Sequence, residues 1–251
     1  MITIIKIGEE VIDLKDIVNK FPINSTEVKI LKNLSDSGSI YKYNSFLELK
    51  FEIDLRVNII RAARELAKSG IKFKNYKEST CNLEFWERTR QGGFLLKKDV
   101  SPYEAIADIF KNGSKYGTEC STAIIIVYYG ALLKMYTKKL FDSVFENIHL
   151  YDWHYIDSDL GVATKGISFD TIPGDCKYFK NPEFDPKTPE WRGENTIYLG
   201  DVNYYGHGIG IKTADEMIAT LNKYRKTPDS PTAFLAKSVT NPNYKHLFKL
   251  Q

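Results

Sequence analysis

The chain of 251 residues is long enough to bury a sizeable core, and with 43% hydrophobic and 27% charged residues its composition is that of an ordinary globular protein. Its 35 basic and 32 acidic side chains leave a formal charge of only +3, which is too small to support nucleic-acid binding. The N-terminal stretch reaches acidic residues within ten positions and lacks the apolar segment of an export signal, so the protein is expected to stay in the cell that makes it.

One domain is predicted for residues 1–251, because no internal repeat and no linker rich in Pro, Gly or Ser divides the chain. The first part, residues 1–44, mixes short apolar clusters with polar turns, and its secondary structure is uncertain. The longest apolar stretch, residues 123–136, is too short and too rich in tyrosine to span a bilayer, so no membrane association is expected.

Residues 45–70 carry two conflicting patterns. Apolar and polar side chains alternate over residues 47–59, which is the periodicity of a strand. Thirteen residues is long for a strand, however, and Ser45 precedes Glu48 by three positions, as in a helix capping box. Gly70 is a stop signal at the other end, so we predict a helix that is buried on more than one side.

Two further elements are predicted before the middle of the chain. Residues 82–98 have the pattern of a β-hairpin with its turn at residues 90–93. Ser101 can cap a helix whose first position is Pro102, and a glutamate follows three residues after the cap. This helix is expected to end near Gly113.

The last third of the chain changes in character. Short strands are predicted at residues 148–151, 196–199 and 204–211. A capping box at Thr213 then begins a helix that should end near Arg225. Helices first and strands later predict an α+β fold in which helices pack on an antiparallel sheet.

Cys120 stands between a turn at residues 116–118 and an almost continuous apolar stretch at residues 121–133. It is therefore predicted to lie in the first turn of a buried helix, with Thr118 as a candidate N-cap. Free backbone N–H groups at such a position favour a thiolate, lower the thiol pKa and can hydrogen-bond an oxyanion. The charge of Glu119 opposes a thiolate unless that side chain orients a partner. Position alone leaves open the alternative that Cys120 is simply a small buried apolar residue.

The cysteines number three, Cys81, Cys120 and Cys176, without a CxxC pair, which argues against a disulfide framework in a reducing cytosol. Cys176 is followed by Lys-Tyr-Phe and not by a helix start, so a structural role is predicted for it. Neither the paired Cys/His spacing of a zinc site nor an EF-hand loop occurs in the sequence, and no metal is expected.

A cysteine nucleophile needs a base, and the chain offers four histidines: His149, His154, His207 and His246. His207 is favoured because glycines on both sides of it in a predicted strand imply close approach by another group. A helix-borne Cys followed later by a strand-borne His is also the order of papain-like thiol enzymes. If residues 196–211 form a hairpin, Glu194 can face His207 and hold the imidazole by its N–H, whereas Asp201 is less well placed.

Five unusual strings occur in order along the chain: residues 119–123 (ECSTA), 150–155 (LYDWHY), 174–186 (GDCKYFKNPEFDP), 191–195 (WRGEN) and 207–208 (HG). Together they resemble the small bacterial spore transglutaminases, which are protein-glutamine gamma-glutamyltransferases of Bacillus-type spore formers. The resemblance covers nearly the whole chain and is densest at about residues 100–211, which it implies are the catalytic core. The N-terminal forty residues and the tail match least well, so no function is inferred there.

The resemblance implies a compact core similar to the NlpC/P60 branch of the papain-like class. It also implies a nucleophile at Cys120, a base at His207, an orienting carboxylate at Glu194 and a supporting role for Glu119. The family's active site lies in a tunnel, and its aromatic lining falls on three residues of this chain: Trp153, Trp191 and Phe73. Without the family, each of these three aromatics is better explained as a core residue.

The implied reaction is acyl transfer without a cofactor and without calcium. The thiolate attacks the carboxamide of a protein-bound glutamine, ammonia leaves, and a lysine amine then attacks the thioester to give an isopeptide crosslink. In this reaction His207 is expected to shuttle protons. Apolar tunnel walls would keep competing water from the thioester. The expected partners are spore coat proteins that bear Gln and Lys, and the expected location is the spore coat.

Two other functions remain compatible with the sequence. A cysteine peptidase or amidase of papain-like fold would pass the thioester to water. A catalytically silent coat protein would use a tyrosine- and lysine-rich surface for assembly and would not need an activated thiol.

Overall fold

The computed structural model describes residues 4–168 and 170–251. Within these residues the α-helices are α1 (Leu14–Val18), α2 (Thr26–Asp36), α3 (Phe46–Leu66), α4 (Pro102–Lys111), α5 (Cys120–Leu132), α6 (Lys138–Val144), α7 (Ala214–Asn222) and α8 (Tyr244–Lys249). Short 3-10 helices occur at Gly113–Lys115 and Pro189–Trp191. No helix in the described part of the chain is long and apolar enough to cross a membrane.

The strands are mostly short. In chain order they are β1 (Ile4–Ile7), β2 (Glu10–Val11), β3 (Ile40–Tyr43), β4 (Lys72–Phe73), β5 (Trp86–Arg88), β6 (Phe94–Leu96), β7 (Gly117–Thr118), β8 (His149–Leu150), β9 (Ala163–Lys165), β10 (Cys176–Lys180), β11 (Gly193–Gly200), β12 (Asn203–Gly206), β13 (Gly210–Thr213) and β14 (Phe234–Asn241).

The largest sheet has six strands in the order β13-β12-β11-β10-β14-β9, and every neighbouring pair in it is antiparallel. Helices α3 and α5 pack against this sheet, and their apolar side chains share the main core with Ile197 and Leu199 of β11. The prediction of helices packed on an antiparallel sheet is therefore confirmed. Smaller sheets, which include the parallel pairs β1-β3 and β4-β7, join the elements around this centre.

Helix α3 explains the conflicting pattern of residues 45–70. The helix prediction is confirmed, and the Ser45 hydroxyl accepts the N–H of Glu48 at 3.2 Å. One stripe of side chains, at every fourth residue, belongs to a separate N-terminal core: Leu49, Ile53 and Val57. A second stripe, offset by two residues, belongs to the main core: Phe51, Leu55 and Ile59. Positions two apart on a helix lie on nearly opposite faces, so two buried stripes produce an alternation that imitates a strand.

The N-terminal core is built from the segment whose structure the sequence left uncertain. Strand β1 and helix α2 contribute four of its buried side chains: Ile5, Ile30, Leu31 and Leu34. Ser25 caps α2 by accepting the N–H of Val28 at 3.3 Å. This segment covers the face of α3 that the main core leaves free.

Other local predictions are confirmed with small changes. Strands β5 and β6 form the predicted hairpin, and Gly92 in its turn has φ +96°. The Ser101 hydroxyl caps α4, and Thr213 and Glu216 form the predicted capping box of α7, which ends at Asn222 and not near Arg225.

The predicted strand at residues 204–211 is wrong. The structure has two strands there, β12 and β13, which pair with each other through a tight turn at residues 207–209. Gly210 has φ +93°, a conformation that glycine adopts without the strain of a side chain. His207 therefore lies in a turn at the edge of the main sheet and not within a strand.

Candidate active site

Cys120 is the first residue of α5, as the sequence predicted, but its helix is capped differently. The N-cap is Glu119 and not Thr118, which is the last residue of β7. The Glu119 carboxylate accepts the N–H groups of Ser121 at 2.6 Å and Thr122 at 2.7 Å, and the Ser121 hydroxyl at 2.5 Å. Glutamate is not among the usual N-cap residues, which is why the sequence pointed to the threonine.

This cap changes the electrostatics of the thiol. Two of the N–H groups that were expected to stabilise a thiolate are already bonded to the Glu119 carboxylate. Burial, followed by the charges of Glu194 and Glu119, raises the pKa of the Cys120 thiol well above its ordinary value. The predicted lowering of that pKa is wrong for this structure. The protein holds Cys120 as a thiol, which must lose its proton to a base before it can attack.

Asn195 contacts the sulfur directly. Its side-chain Nδ2 lies 3.5 Å from Sγ of Cys120, and its backbone N–H also donates toward this sulfur, so both groups lower the thiol pKa against the effect of burial. Asn195 belongs to one of the strings that resemble the family, but its sequence position alone predicts no role for it. The sequence did contain a signal for a functional role of this segment, because Glu194, Asn195 and Thr196 are three consecutive polar residues in a strand. In the structure the first and third of them are fully buried.

Glu194 is fully buried on β11. Its Oε1 accepts the N–H of Gly208 at 3.1 Å, and Oε2 has no hydrogen-bond partner in the described part of the chain. Burial raises the pKa of Glu194 to about 8, the nearby charge of Glu119 adds to the rise, and the N–H groups of Gly208 and His207 oppose it. At neutral pH this carboxyl is therefore largely protonated.

The glycines around His207 admit the close contacts that the sequence suggested. A Cβ atom on Gly206 would lie 2.8 Å from Cγ of Glu194, and one on Gly208 would lie 3.1 Å from the ring of Phe73. A side chain at Gly206 would therefore displace the buried carboxyl.

The imidazole of His207 is placed differently from the prediction. Its Nε2 lies 3.2 Å from the carbonyl oxygen of Lys72, and its Nδ1 lies 3.2 Å from the hydroxyl of Tyr205. A carbonyl only accepts, so Nε2 carries the proton and Nδ1 accepts from Tyr205. Burial lowers the pKa of His207 to about 4, against the opposing effect of backbone carbonyls, so the ring is neutral at physiological pH.

The predicted hydrogen bond between the imidazole and Glu194 is therefore wrong in this structure. Glu194 accepts a hydrogen bond from the backbone of the turn at residues 207–209. The hydrogen bonds of the imidazole in the described part of the chain include those to Tyr205 and Lys72. The reason is the tight turn, because it directs the N–H groups of the chain toward Glu194 and the ring toward Lys72. The structure thus brings Cys120, Glu194 and Glu119 together and holds the His207 ring in a separate set of contacts.

A cavity of about 660 Å³ leads to the thiol. The residues on its wall include Glu119, Cys120, Ser121, Asp152, Trp153 and Asn195. Of the three aromatics assigned to a tunnel, this wall includes Trp153. The other two pack on each other, with the rings of Phe73 and Trp191 5.2 Å apart, and Trp191 stacks on Tyr224 at 4.2 Å.

Comparison with known proteins gives consistent results. A family model described as protein-glutamine gamma-glutamyltransferase matches residues 1–251. The chain is 47% identical to the protein-glutamine gamma-glutamyltransferase of Bacillus mycoides (strain KBAB4) over 226 residues, which are 90% of this chain and 80% of that protein. It is 47% identical to the Bacillus cereus (strain AH820) protein of the same name, over 89% of this chain and 81% of that one. Its structure is similar to a transglutaminase from Geobacillus stearothermophilus without its C-terminal extension, with a TM-score of 0.78 and 48% identity over 82% of this chain and 98% of that one.

Proposed function

We propose how this chain, which belongs to the protein-glutamine gamma-glutamyltransferase family, carries out the acyl transfer of that family. The reaction is proposed to pass through a thioester on Cys120. The observation that carries this proposal is the position of the sulfur. It lies at the start of a buried helix, on the wall of a cavity large enough for a side chain. There it accepts a hydrogen bond from Asn195 and lies close to the Glu194 carboxyl.

In the first half of the reaction, the ionised form of Glu194, which is the minor form at neutral pH, takes the thiol proton, and the sulfur attacks the carboxamide carbon of a glutamine. The C–S bond forms, the C–N bond breaks, and the proton on Glu194 passes to the departing nitrogen, which leaves as ammonia. The unpartnered Oε2 and a pKa of about 8 suit this role, because a group that gives and takes a proton works best near the ambient pH.

In the second half, an amine attacks the thioester carbon. The new C–N bond forms, the C–S bond breaks, and Glu194 passes the proton of the attacking nitrogen to the departing sulfur. Each half passes through an oxyanion, and the two N–H donors of Asn195 are placed to hydrogen-bond it as the sulfur becomes covalently bound. The cavity wall limits the access of water to the thioester.

We assign positioning roles to the other predicted site residues. The turn that begins at His207 supplies the N–H groups that hold Glu194, and the neutral ring anchors this turn to Lys72 and Tyr205. Glu119 holds the start of α5. We propose that Trp153 lines one approach to the thiol and that Phe73 and Trp191 border another, as the tunnel of the family implies.

The remaining proposals rest on the family resemblance. The core is proposed to be NlpC/P60-like, with residues 100–211 as its catalytic part within one domain of residues 1–251. The enzyme is proposed to work without calcium on spore coat proteins that bear Gln and Lys, in the coat of the sporulating cell. A hydrolase that passes the thioester to water, or a silent coat protein, is the alternative that the experiment below must exclude.

The test uses the purified protein with a chelator, a glutamine-bearing protein and a fluorescent primary amine, and follows the label by mass spectrometry. We expect the amine to be incorporated at glutamine, and the label to be absent with Cys120→Ala. Deamidation or peptide cleavage without amine incorporation would favour the hydrolase. Equal inactivity of the wild type and of Cys120→Ala would contradict the proposed role of this thiol, and loss of activity in the chelator would contradict calcium independence.

A further inference from the structure

A line of hydrogen-bonded polar groups follows one wall of the cavity that contains the thiol. The Ser121 hydroxyl bonds to Glu119 at 2.5 Å, and the Tyr76 hydroxyl lies beside both Ser121 and the carboxylate of Asp152. All four residues line the cavity that contains Cys120. After burial, the charges of Glu119 and Asp152 are the main causes that raise the pKa of Tyr76, which indicates a negative electrostatic potential along this wall.

Asp152 is held firmly at the far end of this line. Its backbone has φ +51°, in the left-handed region, and its N–H donates to the Thr122 hydroxyl at 2.9 Å. Thr122 is the third residue of α5, so the position of Asp152 is tied to the helix that carries the nucleophile. Its carboxylate lies 3.5 Å from Nδ1 of the exposed His154. The next residue, Trp153, lines the same cavity, so its wall carries both a carboxylate and an indole ring.

The charge of the cavity favours one of the two substrates. Among residues 4–168 and 170–251, the charged residues that line it are three carboxylates, Glu119, Asp152 and Glu190, and one guanidinium, Arg192. A glutamine carboxamide is neutral and gains little from this excess of negative charge. A lysine ammonium gains from the carboxylate, from a cation–π contact with an indole ring, and from contact of its aliphatic stem with the same ring.

We propose that Asp152 and Trp153 form the subsite that receives the ammonium group of the acceptor amine, on the way to the thioester at Cys120. This inference rests on the proposed function, because it requires the acyl-enzyme to exist. A second observation supports it at the other end of the path. Oε2 of the buried Glu194 has no hydrogen-bond partner among the residues that the structure describes, and it can accept a proton that the amine must lose beside the sulfur.

The proton balance fits this arrangement. An ammonium group loses two protons in forming an amide. The ammonium group releases the first proton to solvent at Asp152. The ammonia released in the first half of the reaction takes up one proton from water, so the two protons balance. The neutral amine then attacks the thioester carbon, the C–N bond forms, and Glu194 passes the second proton to the departing sulfur. Asp152 thus concentrates the amine near the thioester and takes no part in bond making.

The test compares two acceptors of different charge with Asp152→Asn. Asparagine has nearly the same size and tolerates a left-handed backbone, so the substitution removes the charge and leaves the turn intact. The acceptors are a fluorescent alkylamine, which is a cation at neutral pH, and hydroxylamine, which is neutral there. We expect KM for the alkylamine to rise about tenfold or more, the loss expected for a charge-assisted contact. KM for hydroxylamine, and the rate of ammonia release without an acceptor, should change less than twofold.

The matched control is Asp229→Asn, which removes the same charge from an exposed loop outside the cavity lining and should leave both KM values unchanged. Equal loss for the two acceptors, or slower ammonia release in Asp152→Asn, would overturn the inference and leave Asp152 a structural residue. If the variant does not fold, wild-type enzyme decides the question, because added salt should raise KM for the alkylamine only, and equal salt dependence would overturn the subsite. Absence of ammonia release in wild type would instead refute the proposed function.

Discussion

The start of α5 and the strand β11 each place a buried glutamate near the same sulfur, yet the two carboxyls have different surroundings. Glu119 accepts three hydrogen bonds from the first turn of α5. Glu194 is bonded through Oε1 alone, and its Oε2 has no partner in the described part of the chain. The first carboxyl is fully occupied as a helix cap, and the second retains an oxygen that can take a proton.

The difference shows that environment, and not residue type, separates a structural from a chemical role. The Glu119 carboxylate accepts several hydrogen bonds from the start of α5, whereas burial with few donors raises the pKa of Glu194 to about 8. Burial is the main cause that raises the pKa of the Cys120 thiol, so a base must remove its proton before the sulfur can attack. We therefore propose that Cys120 and Glu194 together form the reaction centre.

The largest expected effect is on Glu194. Glu194→Gln keeps the size and the bond to Gly208 but removes the proton acceptor, so kcat for ammonia release should fall about a thousandfold, within the range of acid–base catalysis. His207→Gln should lose much less, because the ring is bonded to neither partner of the pair. Steady-state ammonia release measures both variants. A larger loss of kcat in His207→Gln than in Glu194→Gln would show that the imidazole, and not Glu194, is the base that takes the thiol proton.

Asn195→Ala should cost about a hundredfold in kcat with little change in KM, which is the scale of losing an oxyanion donor. The variant should also raise the thiol pKa, because the side-chain amide of Asn195 lowers it in the wild type. The pH dependence of alkylation of Cys120 by iodoacetamide measures that shift. Loss of activity with an unchanged alkylation profile would show that Asn195 acts on the fold and not on the sulfur.

Glu119→Gln should have a smaller effect, about tenfold on kcat, together with about 1 kcal/mol lost from the free energy of unfolding as the cap weakens. The charge of Glu119 raises the pKa of Glu194, so its removal lowers that pKa. The rise of kcat/KM with pH, expected near pH 8 in the wild type, should therefore move to lower pH. A profile that stays in place would contradict the coupling of the two glutamates.

The smallest effect concerns stability. The pKa of Glu194 rises from 4.5 to about 8 on folding, so between these values the folded protein binds the proton more tightly than the unfolded chain. The contribution of Glu194 to stability is thus lost as pH rises from 4.5 through about 8. Glu194→Gln should be more stable than wild type at pH 8, and the difference should shrink as the pH falls toward 4.5. Denaturant unfolding at several pH values checks this, and a constant difference would contradict it.

The sequence predicted the elements whose signals are local. The caps at Ser45, Ser101 and Thr213 depend on side chains within three residues, and all three were found where predicted. The N-terminal core could not be predicted, because residues 4–44 are ordered by the second buried face of α3, which is a tertiary contact. That face also produced the misleading alternation over residues 47–59.

The sequence predicted which residues form the site better than it predicted the contacts between their side chains. Cys120 at a helix start and Glu194 within reach of the His207 turn follow from spacing and strand pairing. The direction of the imidazole did not follow, because a turn at residues 207–209 redirects it and a single strand would not have done so. The Glu119 cap and the bond from Asn195 to sulfur depend on side-chain geometry that no sequence period encodes.

The protonation state of Glu194 is the central claim, and infrared difference spectroscopy of wild type against Glu194→Gln measures it most directly. We expect a carbonyl band of a protonated carboxyl at pH 6 that is absent from Glu194→Gln and disappears as the pH rises through about 8. In Glu119→Gln the same band should disappear at lower pH. A wild-type spectrum without this band above pH 5 would mean that Glu194 is already ionised there, which would contradict the raised pKa on which its role as proton acceptor and donor near neutral pH depends.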